Sequence, residues 1–384
     1  MNGFAGATLD SRQIRPGMLF VAIKGERVDG HDFIPQALAQ GAAGVIDGRE
    51  ELARAAHEYR RSLKAIVVGV TGSAGKTSTK ELVAAFLRAG GLKVHATEGN
   101  YNNDLGLPLT ILNCPPDADV LVLEMGTNHP GEIKYLVDIA EPNIGLISSI
   151  GTAHIEFFRT QDGIAREKGT LFASLGTGEC SFPHPSFAVL ARENDRYDLL
   201  CSLSSAPVVT VSLADAEAPC LAEALRIRLP GRHNVSNALI ALACATRLGA
   251  TEEACLAALR DFTLPGGRWR VIERDGVTYV DDTYNANPTS MIAALETFAS
   301  LEVKGRRIAV IGDMFELGEQ SAVLHARVKA CASGLPLDRV ILVGDNMGGV
   351  DRVTAKTELS ALIRPGDAVL LKASHGMHLD ELLK

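Results

Sequence analysis

The segment VTGSAGKTSTK, Val70 to Lys80, offers the clearest chemistry in the chain. It follows an apolar run that reads as a strand and opens a run that reads as a helix. In that setting successive backbone N–H groups and the helix N-terminus can cradle phosphate, Lys76 supplies a point charge, and Thr77 offers a hydroxyl to Mg²⁺. The strict spacing G-x-x-x-x-G-K-[ST] needs glycine where Val70 stands, so the loop is a variant, T-G-S-x-G-K-T, with Gly72 and Gly75 as its turn residues.

Other candidates are weaker when taken one at a time. Glu124 ends the apolar run DVLVLE, where a carboxylate can hold a hydrated Mg²⁺ in the crevice of an open sheet or pair with an ordinary lysine. His154 lies just beyond the next run and reads as a ligand or as a satisfied loop residue. Lys168 falls on a helical stretch, where a solvated lysine is the ordinary expectation. His233, Asn234 and Asn237 open an apolar helix, free to cap it or to bond a base edge. Asp281 and Asp282 precede an Asn-Pro turn; they are turn formers, or they bind ribose hydroxyls or an amine.

The elements that must position these groups alternate. Lys64 to Val70 reads as a strand, Lys76 to Leu87 as a helix, and Asp119 to Glu124 and Asn143 to Ile150 as strands, an order that favours a parallel sheet with helices on both faces. A second α/β series has strands at Arg307 to Gly312, Arg339 to Gly344 and Asp367 to Lys372, with a helix from Glu319 to Ala332. LPGGRW, Leu264 to Trp269, is a turn-rich hinge candidate between the two series. Residues before about 64 carry their own strand, Met18 to Ile23. The expected division is 1–64, 65–264 and 265–384, with Leu175 to Pro219, which includes Pro183, the least readable stretch.

A length of 384 residues predicts two to three domains. The net charge of −8 opposes a broad nucleic-acid or anionic-membrane surface, so an anionic ligand needs a local device such as loop amides or a metal. The longest apolar stretch is about eight residues, Ala238 to Ala245, short of the roughly 18 of a membrane span, and the opening MNGFAGATLDSR lacks a signal-peptide pattern. Seven scattered cysteines, Cys114, Cys180, Cys201, Cys220, Cys244, Cys255 and Cys331, read as reduced cytosolic thiols.

Together the segments LDSRQIRPGMLFVAIKGERVDGHDFI, VTGSAGKTSTKE, TEGNYNNDLGLPLTIL, LEMGTNHPGEIKYLVDIAEPNIGLISSIGTAHIE, GRHNVSNALIA and DDTYNANPTSM resemble the Mur ligase family of ATP-dependent amide-forming enzymes. The Asn-rich and DDTYNANP segments favour its branch that adds D-alanyl-D-alanine to UDP-N-acetylmuramoyl-tripeptide in peptidoglycan precursor synthesis. The resemblance implies three α/β domains: a small UDP-binding domain, a central ATPase domain with a mainly parallel sheet, and a Rossmann-like ligase domain. It implies that Thr71, Gly72, Ser73, Ala74, Gly75, Lys76, Thr77 and Ser78 hold the ATP phosphates and that Asn234, Arg268 and Asp282 contact the rest of the nucleotide. It assigns Mg²⁺ to Thr77, Glu124, His154 and Lys168, the last as a carbamylated lysine, with Lys76, His154 and Lys168 as the catalytic set. Asp10, Ser11 and Arg12 fall in the UDP segment, and Asn100, Asn102 and Asn103 on the substrate side. The implied enzyme is a cytoplasmic monomer. A sister ligase with another acceptor, or a non-catalytic nucleotide-binding homologue, are the rival readings.

Departures from the family pattern are specific. The first segment begins almost at its DSR motif, the 175 to 230 region is short, and Thr170 and Ala191 replace a usual glutamate and asparagine. Ala373 and His375 stand where Gly and Arg are frequent.

Overall fold

Apolar runs of a few residues bounded by turn formers are too short for helices and fit strands. In the computed structural model, which describes residues 3–176, 185–215, 217–225 and 229–383, they assemble into three sheets. The first is small and parallel: β1 (Ala7–Thr8), β2 (Leu19–Ala22) and β3 (Gly44–Asp47), in that order. The second contains β4 (Ile66–Thr71), β5 (Val94–Ala96), β6 (Val120–Glu124), β7 (Ile144–Ile147), β8 (Phe187–Ala191) and β9 (Val208–Val211). Its order is β5-β6-β4-β7-β8-β9 and every pair is parallel.

The third sheet holds β10 (Arg270–Arg274), β11 (Val277–Asp281), β12 (Arg307–Gly312), β13 (Arg339–Val343) and β14 (Ala368–Lys372). The order is β10-β11-β14-β12-β13, parallel except for the β10–β11 hairpin. The family's α/β architecture is therefore present. Expected strands and helices recur within a few residues, except that the strand expected over 143–150 stops at Ile147. Beyond it Ser148 N–H still donates to the Thr71 carbonyl, and the Ser148 and Ser149 side chains turn to the loop after β4, both donating to the Ala74 carbonyl. Leu175 to Pro219 supplies β8, β9 and the helix Tyr197–Leu203 between them.

Cys180 and Pro183 lie outside the described residues. The other six cysteines are free thiols. Among the described residues no helix is long and apolar enough to cross a membrane.

The first and second sheets share a continuous apolar core, in which Val21, Ile46 and Leu52 join Val67 and Leu112. The helix Gly48–Ser62 presses its apolar face against the second sheet's helices and so carries Arg60 to full burial. Arg60 Nε donates to the Ala140 carbonyl at 2.8 Å, and Nη2 donates to the Glu141 carbonyl and Asn143 Oδ1 at 3.2 and 3.3 Å. The Asn113 side chain brackets the first strand, accepting from Ala7 N–H at 3.1 Å and donating to the Ala7 carbonyl at 2.9 Å. The buried guanidinium is satisfied by helix-end carbonyls that have no partner within their own helix. Arg60→Ala is expected to destabilise the protein by about 3 kcal/mol, because it strands buried carbonyls and opens a void. Urea unfolding measures this, and an unchanged midpoint would show that the seam depends on packing alone.

Candidate active site

The second sheet changes direction at β4, whose neighbours β6 and β7 belong to opposite halves of the chain path. Ligands of open α/β sheets bind at such a point, beyond the carboxyl ends of the strands. The register aligns those ends: Val70 lies beside Glu124 and Thr71 beside Ile147. A cleft of about 1140 Å³ opens there and extends to the third sheet's loops.

The loop after β4 is held against β7's end. Ser73 N–H donates to the Ser149 carbonyl at 2.8 Å, Ala74 N–H donates to Ser149 Oγ at 3.1 Å, and Ser148 Oγ donates to the Ala74 carbonyl at 2.6 Å. Two positions demand glycine. Gly72 has φ +153° and a Cβ there would sit 2.1 Å from Ser148 Oγ; Gly75 has φ +81° and its Cβ would sit 2.8 Å from Asn237 Nδ2. The helix Lys76–Ala89 starts directly after Gly75, so its first N–H groups face the cleft with no intrahelical acceptor. Lys76 Nζ donates to the Gly72 carbonyl at 2.8 Å. Burial pushes the Lys76 amine down, opposed by the nearby Glu124 and reinforced by Arg268.

Glu124 is buried at the end of β6. Its Oε1 accepts from Asn102 Nδ2 at 2.8 Å, while the buried Oε2 has no hydrogen-bond partner. An unpartnered buried carboxylate oxygen facing a phosphate-type loop fits a cation. Thr77 and His154 line the same cleft. Among the described residues no group of three or more His, Cys, Asp or Glu side chains gathers into a cage, so side chains alone do not complete a metal site. The donor set fits a hard cation that takes part of its oxygen shell from a nucleotide.

Lys168 departs from the solvated lysine expected of its helix. The helix Gln161–Ala173 turns it inward, 1% exposed, behind the cleft wall, and among the described residues no hydrogen bond or ion pair reaches its amine. Burial first, and then the charge of Lys76, hold its pKa well below the usual lysine value. A neutral amine is nucleophilic and suits carbamate formation with carbon dioxide.

The third sheet closes the far side. Arg268 stacks its guanidinium 3.4 Å from the Tyr284 ring centroid and donates to the Pro265 carbonyl. The paired acids divide their work. Asp281 Oδ1 accepts from the Thr283 N–H and hydroxyl as a turn former, while Asp282 lines the cleft and pairs with Lys372 at 2.7 Å. Asn287 Nδ2 reaches across to donate to the Ser73 carbonyl at 3.3 Å. Asn234 is not the cap of its helix, Arg232–Arg247, which Gly231 caps; its Nδ2 donates to the Pro230 carbonyl and it borders the cleft with Asn237. His233 opens onto the cleft, where the surrounding walls and the Lys372 charge hold its imidazole down to about 4.

Not every expected residue reaches the cleft. Thr71 is buried beneath it, its hydroxyl donating to the Met125 carbonyl. Asn100, Asn102 and Asn103 all border it, although Asn103 Oδ1 accepts from the Leu105 and Gly106 N–H groups at the start of the helix Gly106–Leu112. Asp10, Ser11 and Arg12 lie in a short helical turn after β1, and none of them lines the cleft: Asp10 pairs with Arg12, and Ser11 Oγ donates to Gln36 Oε1. Arg49, which pairs with Asp104 at the cleft edge, Lys372 and Asn287 were not among the sequence candidates. For Asn287 the signal was local, an Asn-Pro at a helix start. Arg49 and Lys372 carry none, since only tertiary folding brings them to the cleft.

Comparison with known proteins agrees with this geometry. Three family descriptions match along the chain: Mur ligase family, catalytic domain, over residues 4–94; Mur ligase middle domain over 70–245; and Mur ligase, glutamate ligase domain, over 267–375. The UDP-N-acetylmuramoyl-tripeptide--D-alanyl-D-alanine ligase of Escherichia coli (strain K12) is 34% identical over 98% of this chain and 92% of its own. The chain belongs to the Mur ligase family. The Bacillus subtilis (strain 168) ligase of the same name is 33% identical over 99% and 92%. Among solved Mur ligases, MurF from Acinetobacter baumannii superposes with TM-score 0.85 at 29% identity, covering 98% and 92%. MurF ligase from Thermotoga maritima, in complex with ADP, gives 0.79 at 28% identity, covering 98% and 96%.

For this Mur ligase the buried amine makes a separable prediction. Unfolded Lys168 holds its proton up to its ordinary pKa near 10.5 and the folded protein releases it earlier. The unfolded state therefore binds more protons between the two values, and stability rises with pH across that window. In bicarbonate-free buffer Lys168→Met is expected to melt a few degrees higher at pH 7 and to lose that rise, while activity disappears. Melting curves between pH 7 and 10 test it; a Met variant that melts lower would show the amine to be paired.

Proposed function

We infer that the chain is an ATP-dependent ligase that joins D-alanyl-D-alanine to UDP-N-acetylmuramoyl-tripeptide in peptidoglycan precursor synthesis. The observation that carries this is the near full-length similarity to ligases of that name, coinciding with a cleft that faces a phosphate-type loop with an unpartnered carboxylate. A carboxylate is a poor acyl donor. Transfer of the ATP γ-phosphoryl group to the tripeptide's terminal carboxylate makes an acyl phosphate and releases ADP. The dipeptide amine then attacks the carbonyl carbon, loses a proton, and expels phosphate to leave the amide.

The chain's groups divide these tasks. The N–H groups from Gly75 to Ser78 bind the phosphates, while those of Ser73 and Ala74 are taken by Ser149, and Lys76 exchanges the Gly72 carbonyl for phosphate oxygens. Thr77, Glu124, His154 and Lys168 as a carbamate would hold Mg²⁺, which supplies positive charge between the γ-phosphate and the acceptor carboxylate. Asn102 fixes the Glu124 carboxylate through its amide, and Asn100 and Asn103 border the acceptor side. Asn234, Arg268 and Asp282 serve the adenine, phosphate and ribose, the last two from the third unit. Arg268 and Asp282 are already braced by Tyr284 and Lys372, so little is left to order when nucleotide binds. Asp10, Ser11 and Arg12 serve the UDP end.

The division of labour follows units at 1–64, 65–264 and 265–384. All the named groups come from one chain, which supports a monomer as the working unit. ATP and a UDP-linked acceptor support a cytoplasmic location.

ADP release with UDP-muramoyl tripeptide tests this reading. Turnover is expected with D-alanyl-D-alanine and not with single amino acids. Turnover with another amine alone would move the protein to a sister activity.

A further inference from the structure

Beyond β12 the chain runs through Asp313, Met314 and Phe315, and each is held by a different neighbour. The buried Asp313 carboxylate accepts from the Asn346 and Met347 N–H groups at 3.2 and 2.8 Å and from Asn346 Nδ2 at 3.1 Å. Met314 N–H donates to Nε2 of the fully buried His325 at 3.0 Å, and His325 Nδ1 donates to the Ser321 carbonyl at 2.8 Å. Phe315 N–H donates to Ser374 Oγ at 2.9 Å, and Ser374 N–H donates to the Asp313 carbonyl at 3.0 Å. Three successive residues so constrained form a rigid mount. What the mount presents is Glu316.

Glu316 has φ +61°, a left-handed conformation that costs a non-glycine residue about 1 kcal/mol and persists only where surroundings impose it. Its carboxylate crosses from the third unit to the second and meets Nδ1 of His154 at 2.6 Å. His154 is itself left-handed, φ +59°, at the start of the short helix Ile155–Phe158. The approach is close on both sides: a Cβ on Gly318 would lie 2.8 Å from Glu156 Cγ. Two strained residues from separate units therefore point at each other across the cleft. An exposed ion pair between flexible side chains needs no such mount.

We propose that Glu316 is the positioning residue through which the third unit fixes the His154 imidazole and so reports that the cleft has closed. The contact is an ion-pair approach without hydrogen-bond alignment; a carboxylate beside Nδ1 favours a ring proton on that nitrogen, which leaves the Nε2 lone pair free and confines the ring. When the third unit swings away, Glu316 leaves, His154 loses its orienter, and the site is incomplete. Phosphoryl transfer is thereby coupled to closure, and premature transfer to water is disfavoured. The proposal rests on the ligase reading only in assigning His154 to the reacting side.

Two measurements on the full chain test it. In the ADP-release assay, Glu316→Gln is expected to lower kcat at least about tenfold while KM for ATP stays within about twofold and the melting temperature is unchanged; an unaltered kcat would overturn the proposal. Solution scattering with a non-hydrolysable ATP analogue and the tripeptide acceptor needs no turnover. There the native chain is expected to contract more than Glu316→Gln, and His154→Asn to behave like Glu316→Gln, with the double variant no worse than either. Equal contraction in native and Glu316→Gln proteins would overturn it. A native chain inactive with every acceptor would remove the ligase reading, and the scattering comparison would still decide the role of Glu316.

Discussion

The absence of room at Gly72 and Gly75 is the constraint on which the rest is arranged. The loop is pressed between Ser148 at the end of β7 and Asn237 on the helix Arg232–Arg247, so closely that either glycine's Cβ would collide. That crowding fixes where the helix Lys76–Ala89 begins and therefore where its unpaired N–H groups point. It also fixes the level of Glu124, because β6 is in register with β4. Lys76, Glu124, Asn234 and Asn237 keep their mutual places because one turn has no alternative conformation.

The parts of this arrangement legible in the sequence were those written in local pattern. The glycine spacing, the short apolar runs and the acid at the end of DVLVLE each depend on a few neighbouring residues, and each was found where expected. Lys168 was visible only through family resemblance, because its helix is weakly amphipathic and nothing local says which face turns inward. Strand β8, the fully buried run FAVLA between β7 and β9, has no alternation for periodicity to detect. Glu316 and Asn287 act across units, and Lys372 meets Asp282 from the far end of the third, so the meaning of all three lies in partners far along the chain.

Electrostatics follows the same logic of local provision. A chain of net charge −8 offers no general attraction for highly anionic ligands. Positive potential is concentrated instead at a helix start, at Lys76 and at Arg268, with Lys372 committed to Asp282. Lys168 is withheld from that set, its pKa held well below the ordinary lysine value by burial and by the charge of Lys76. The cleft thus takes phosphate by direction and proximity, and the surrounding surface does not compete with nucleic acid.

The seam at Arg60 has a mechanical consequence. Buried hydrogen bonds tie the first sheet to the second, while the third is joined through the Leu264–Trp269 turn, polar contacts and an apolar cluster in which Met291 and Met314 of the third unit are continuous with the second unit's core. The first and second units therefore form one bonded base beneath the cleft. That base carries both the segment around Asp10 and the loop around Lys76, so the span between them is set by the buried bonds at Arg60 and Asn113. For a substrate held at both ends, as in the function proposed above, that span would act as a ruler for the length of chain accepted.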